Sequence, residues 1–187
     1  MYFHDRALII KRYNLGEADK ILVLLTAEQG KVAAVAKGIR RPQSRWGGQL
    51  DLLNLIRGRF FRGRAAGLLT LTEVVLEKDF AALKKNWEKI KAAYYFCELV
   101  DEFAPLGQKE KELFAWLEQF LQQLNESSSS ALEELIKEGE IKLLQLNGFW
   151  SAQMFRGRRP QTLNEWRRFN RLFIERILGK KIKSWEL

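Results

Sequence analysis

The hydrophobic period of the chain changes once, near residue 78. Before it, apolar residues fall in short runs between Gly, Pro and charge: Ala7–Tyr13, Lys20–Thr26, Lys31–Lys37, Leu50–Phe61 and Leu68–Leu76. Runs of this length bounded by turn residues predict β-strands. The second and third are joined by Ala27-Glu28-Gln29-Gly30, a four-residue connection closing on Gly, which predicts a hairpin. The last alternates, with Thr70, Thr72 and Val74 on one side and Leu69, Leu71 and Val75 on the other. Five strands in so short a segment suit a small closed barrel, which leaves no exposed edge. Periodicity alone fits an OB-type or an SH3-like barrel equally.

After residue 78 the apolar positions recur at threes and fours, the helical period. Leu83, Trp87, Ile90, Tyr94, Cys97 and Val100 predict a first helix, ended by Pro105-Leu106-Gly107. Leu113, Trp116/Leu117, Phe120/Leu121 and Leu124 predict a second. Ser130-x-x-Glu133 reads as a capping box opening a third, with Leu132, Leu135/Ile136, Gly139, Leu143 and Leu146 as its stripe. A glycine inside a helix costs about 1 kcal/mol relative to Ala, so Gly139 predicts a close helix–helix approach. Thr162-x-x-Glu165 opens a fourth helix, with Leu163, Trp166, Phe169/Asn170, Phe173 and Ile177 inward and a stop at Gly179. The expected organisation is α+β: a five-stranded antiparallel barrel over residues 1–78, then an all-α bundle over 79–187.

Charge sharpens this picture. Residues 1–78 hold fourteen Lys/Arg against seven Asp/Glu, residues 79–148 eight against thirteen, and residues 149–187 ten against three. Two basic regions flank an acidic one, a pattern that favours an electrostatically selective binder of polyanions. The densest stretch, Gln29–Thr72, carries nine basic residues and one acid, Asp51. Within it Lys37, Arg40, Arg41 and Arg45 sit on a Gly/Pro loop with Trp46 as a candidate stacking ring, and Arg57, Arg59, Arg62 and Arg64 follow on the next strand and turn. Cations along phosphates with aromatic rings against bases is how single strands are held. Acidic residues to neutralise either set are missing. Arg167, Arg168 and Arg171, with Arg156, Arg158 and Arg159 upstream, form a second candidate surface for DNA or an acidic partner. The same helix residues also fit an ordinary solvated face.

Catalysis and metal binding find little support. His4 is the single histidine and Cys97 the single cysteine, so neither a nucleophile–base pair nor a cysteine zinc site can be built from this sequence. No phosphate-loop or dinucleotide fingerprint is present. The expectation is a non-enzymatic, cofactor-free protein. With no signal-type N-terminus and no apolar run near 18 residues, it is expected in the cytoplasm, away from membranes.

One resemblance covers nearly the whole chain. Gly16-Glu17-Ala18-Asp19-Lys20-Ile21-Leu22, Thr26, Gly30-Lys31 and Ala36-Lys37-Gly38 through Arg40-Arg41-Pro42-x-Ser44-Arg45 resemble the N-terminal domain of the RecO family of bacterial recombination mediators. Ala92-Ala93-Tyr94-Tyr95 with Glu98-Leu99, Leu143-Leu144-x-Leu146-x-Gly148-Phe149, and Phe169 through Ser184 extend the likeness. It implies an OB-fold barrel and a helical C-terminal domain. It also implies binding of single- and double-stranded DNA, strand annealing, and help in loading RecA. The implied partners are RecR and the acidic tail of single-stranded-DNA-binding protein. Lys37, Arg40, Arg41 and Arg45 become the DNA-facing residues. Many family members carry a four-cysteine zinc module before the last helix; Phe149–Gln161 has no cysteine and is too short for one, so zinc is not expected. Arg156, Arg158 and Arg159 stand in that interval as a partial substitute. Two other readings remain at this stage: an adaptor docking acidic proteins, and an RNA-binding barrel.

Overall fold

A computed structural model describes residues 1–44, 46, 48–63, 67–150 and 160–186. Five strands, β1 (Tyr2–Leu15), β2 (Asp19–Thr26), β3 (Gly30–Ala36), β4 (Leu55–Arg62) and β5 (Leu68–Lys78), close into a barrel in the order β1-β2-β3-β5-β4. This is OB topology. The barrel is not wholly antiparallel: β3 and β5 close it as a parallel pair, Ala33 opposite Leu68 to Val35 opposite Thr70. The β3–β4 connection makes that possible, since it is long enough to carry the chain across the barrel before β4 begins.

The barrel interior takes alternate residues: Ile9, Leu22, Leu24, Ala34, Ile56, Phe60, Leu69 and Leu71. Residues of the opposite parity on the helix side, Leu8, Ile10, Leu25 and Leu55, join the helical core instead. Ala7–Ile10 is therefore buried on both faces, which explains why it reads as an uninterrupted apolar run. Two differences from the sequence pattern have local causes. β4 begins at Leu55 instead of Leu50, because Leu53 turns the chain at φ 71°. On β5 a register shift opposite Arg59/Phe60 inverts the alternation, so Val74 packs on the core and Val75 is 63% exposed.

The helices are α1 (Ala81–Lys84), α2 (Trp87–Phe103), α3 (Lys111–Glu126), α4 (Leu132–Leu146) and α5 (Leu163–Leu178). The expected first helix is broken: Asn86 is extended and its side chain accepts from the Lys89 amide, capping a fresh helix. Trp87 consequently faces solvent rather than the core. Ser130 is not a cap; a 3-10 turn over Ser129–Ala131 precedes α4, and the Ser130 hydroxyl meets Ser128. Thr162 does cap α5, its hydroxyl accepting from the Glu165 amide at 3.2 Å. Gly139 does mark a close approach, since a Cβ there would lie 2.6 Å from the Phe120 ring and 2.7 Å from Phe96.

Barrel and helices share a core and are tied by charge. Asp101, near the end of α2, receives Lys11 of β1 at 2.8 Å and Lys31 of β3 at 3.2 Å. Lys31 also donates to the Asp101 carbonyl. Burial opposes ionisation of Asp101, but the hydrogen bond from Lys11 and the charge of Lys31 override it and hold the carboxyl below its usual range. A depressed acid stabilises the fold fully above its unfolded value near about 3.9, and that stabilisation is lost as pH falls through the lower folded value. Asp101→Asn should therefore cost about 2 kcal/mol at neutral pH, and its gap to wild type should shrink below about pH 4. Urea melts of both proteins from pH 7 to pH 2 check this; a gap independent of pH would contradict it.

Candidate nucleic-acid interface

The connection between β3 and β4 is pinned at several points and open at its tip. Gly38 adopts φ 70° and donates its amide to the Asp19 carboxylate at 2.7 Å, which turns the chain out of β3. The Arg40 amide donates to the Ala18 carbonyl and its guanidinium to the Gly16 carbonyl at 3.1 Å, so the loop leans on the β1–β2 turn. Asn54, 2% exposed, donates to the Gly48 and Gln49 carbonyls and accepts from Lys84. Arg12 grips the Leu50 carbonyl and the Asp51 carboxylate.

Lys37, Arg40 and Arg41 all project from this loop into solvent, and among the described residues none of them is in an ion pair. They form one cationic ridge on a fixed backbone. Arg45 lies outside the described residues, as do Arg64, Arg156, Arg158 and Arg159.

Trp46 corrects an expectation. It is 2% exposed and packs in the barrel core with Ala36, Leu50 and Ile39, its indole N–H donating to the Lys37 carbonyl at 2.8 Å. An indole in the middle of a basic loop reads equally as a base platform or an anchor; here the open barrel end left by the long connection takes it as a plug. Its contribution is to hold Lys37 and the ridge in place.

The second basic set is also partly corrected. Acids distant in sequence do neutralise it: Glu77 meets Arg57 at 2.7 Å and Arg6 at 2.8 Å, and Glu73 meets Arg59 at 2.6 Å. Burial works against the Glu77 charge, yet Arg6 and Arg57 hold its carboxyl below the usual range. Arg62 has a softer partner, the Gln29 side chain at 3.0 Å. Cross-strand pairing places Glu73 opposite Arg59, which linear spacing does not reveal.

Of the α5 arginines, Arg167 meets an acid of another helix and Arg171 one of its own. Arg167, Arg168 and Arg171 line an open cleft of about 470 Å³ whose other wall carries Lys91, Ala92 and Ile136. Arg167 pairs with Glu133 at 3.0 Å and Arg171 with Glu175 at 3.3 Å, while Arg168 is exposed. Beneath them lies a feature absent from the sequence pattern: Glu140 is 1% exposed and accepts from Tyr95 at 2.7 Å, Asn170 at 2.6 Å and Trp166 at 3.2 Å. Burial raises its pKa despite those bonds, and the cluster locks α5 to α2 and α4. Cys97 is buried, which pushes its thiol up to about 12, and His4 lies exposed beside Arg59 on the barrel. Among the described residues no group of three or more His, Cys, Asp or Glu could hold a metal ion. No helix is long and apolar enough to cross a membrane among these residues.

Fold and site define a class: an OB barrel carrying an exposed cationic loop, with no ion pair at Lys37, Arg40 or Arg41 among the described residues, followed by a helical domain. The family models described as "Recombination protein O N terminal" and "Recombination protein O C terminal" match residues 1–80 and 84–150. The chain belongs to the RecO family. It is 37% identical over 142 residues to the DNA repair protein RecO of Symbiobacterium thermophilum, covering 76% of this chain and 55% of that one. The DNA repair protein RecO of Desulforudis audaxviator is 34% identical over 149 residues, 79% of this chain and 57% of its own. The chain thus spans about half the length of the curated relatives it matches.

The packing of Trp46 carries a direct consequence. Trp46→Ala should destabilise the fold by about 3–5 kcal/mol, as an emptied aromatic core site does, whereas a solvent-facing platform would lose almost nothing. A urea midpoint unchanged by the substitution would return Trp46 to the surface.

Proposed function

We propose that this chain acts in DNA repair as a non-enzymatic recombination mediator that binds single- and double-stranded DNA and anneals complementary strands. Family membership supports this reading, and one observation carries it: the ridge of Lys37, Arg40 and Arg41, exposed and without ion pairs among the described residues, on a loop pinned by Trp46 and Asn54. Cations already satisfied by carboxylates gain little from a phosphate; unpaired ones release condensed counterions when they meet one. A ridge that grips backbone leaves base edges free, and two strands whose phosphates are partly neutralised can approach and pair. Annealing needs no catalytic group.

The cleft between α2, α4 and α5 suits the other half of the role, recognition of the acidic tail of single-stranded-DNA-binding protein. Lys91 and Arg168 in its lining offer charge to carboxylates, and Ala92 and Ile136 on one wall offer apolar surface to an apolar end. Delivery of RecA to coated DNA together with RecR follows from the same reading.

Arg40→Ala/Arg41→Ala should flatten the log–log salt dependence of single-strand affinity by roughly 1.4, about 0.7 per phosphate contact removed. Fluorescence anisotropy across a salt series measures it, and an unaltered slope would remove the ridge from the interface. For the cleft, Lys91→Glu/Arg168→Glu should weaken a labelled acidic peptide ending in an aromatic residue by about tenfold or more, with DNA affinity retained. Peptide binding that ignores both reversals would place the tail elsewhere.

A further inference from the structure

The outer face of β1 and β4, away from the loop, carries an arrangement that neither the ridge nor the cleft uses. Tyr2 lies opposite Phe61, His4 opposite Arg59 and Arg6 opposite Arg57. Side chains on one face of a sheet alternate, so these six share the outward surface. Tyr2 is 53% exposed and Phe61 36%, with ring centroids 4.9 Å apart and planes tilted by 48°. Arg59 places its guanidinium 4.5 Å from the Tyr2 centroid, and Arg62 lies 5.5 Å from that of Phe3.

The barrel does not need these rings for its core, which Phe60, Ile56 and Leu71 fill from the other parity. What the pair offers instead is an oriented aromatic surface in water. The Arg59 contact restrains the Tyr2 ring, so less freedom is lost when something stacks on it. Arg59, on the same face, is paired with Glu73 at 2.6 Å, so its part is to steady the Tyr2 ring and not to grip phosphate. Exposed aromatic rings on a sheet face are what unpaired bases stack on, and stacking discriminates little between bases.

Position adds to the argument. Tyr2 begins β1 and Leu15 ends it, and the basic ridge leans on the turn that follows Leu15. The two features thus lie toward opposite ends of β1, a 14-residue strand that pairs first with β4 and then with β2. The aromatic face is therefore placed to take a different stretch of nucleic acid, or a second strand.

We infer that Tyr2 and Phe61, with Arg59 restraining the Tyr2 ring, form a stacking platform for unpaired bases of single-stranded DNA, separate from the phosphate-gripping loop. This rests on the DNA reading proposed above and deepens it. One surface holds backbone and shows base edges, while the other holds bases by their faces.

An abasic oligonucleotide separates the two, because it keeps every phosphate and removes every base. Anisotropy at fixed low salt would compare oligothymidylate with an abasic chain of equal length and charge. Wild type should prefer oligothymidylate by about tenfold, the effect of stacking a base or two. Tyr2→Ala/Phe61→Ala should reduce that preference to within about twofold while leaving affinity for the abasic chain unchanged. Tyr2→Phe, which keeps the ring, should retain the preference. Tyr2→Leu/Phe61→Leu, which preserves apolar volume, covers the case in which the alanine variant fails to fold, and should lose the preference equally. Arg40→Ala/Arg41→Ala should weaken both oligonucleotides alike. Equal wild-type affinity for the two oligonucleotides, or a preference that survives removal of both rings, overturns the platform and leaves the ridge intact. Wild type that binds neither oligonucleotide overturns the DNA reading and the platform together.

Discussion

Two lysines converge on the end of one helix, and the rest of the architecture follows from that contact. The carbonyls of the last helical turn have no amide partners and carry partial negative charge, so cations are favoured there. Lys31 meets both the carboxylate and the carbonyl of Asp101, and Lys11 takes the other carboxylate oxygen. The Lys31 side chain is 11% exposed, a burial that a charge tolerates only with partners in place. The contact fixes the β2–β3 hairpin beneath α2 and the α2–α3 connection, where Gly30 passes so close that a Cβ would overlap the Gln108 carbonyl. With that side of the barrel closed by helices, the β3–β4 loop and the β1–β4 face remain open to a ligand.

The positive charge of the barrel therefore has two distinct physical uses. Lys11, Lys31, Arg6, Arg12 and Arg57 are held by carboxylates and belong to the scaffold. Lys37, Arg40 and Arg41 stand on a loop held by Trp46 and Asn54 and by the contacts of Arg40 with the Gly16 and Ala18 carbonyls. None of these anchors is a carboxylate, so among the described residues the ridge keeps its charge without ion pairs. The same division recurs on the helical side, where buried Glu140 holds α5 in place and Arg168 above it remains exposed.

The strands and helices were legible because their periods are local properties. The hairpin at Gly30, the stop before Pro105, the Thr162 cap and the close approach at Gly139 each follow from residues within a few positions of one another. What the sequence hid depends on partners far along the chain. The carboxylates that occupy Arg57 and Arg59 come from β5, fourteen or more residues on, through strand register. Trp46 carries no mark telling a plug from a platform, and the exposed aromatic pair arises only when β1 and β4 are laid side by side. Glu140 sits on an otherwise apolar stripe, and only the assembled helices supply its three donors. The exposure of Lys37, Arg40 and Arg41 was legible because Gly38, Pro42 and their neighbours mark a surface loop, whereas their freedom from carboxylates among the described residues depended on strand register, which neutralised Arg57 and Arg59 instead.

Protection of individual arginines against an arginine-selective reagent, with and without single-stranded DNA and read by mass spectrometry, separates a phosphate-gripping ridge from a merely solvated one. Arg40 and Arg41 should react readily in the free protein and be shielded in the complex, while Arg12, held at the base of the loop, should change little. Arg40 and Arg41 that stay equally reactive when DNA is demonstrably bound would contradict a phosphate-gripping ridge.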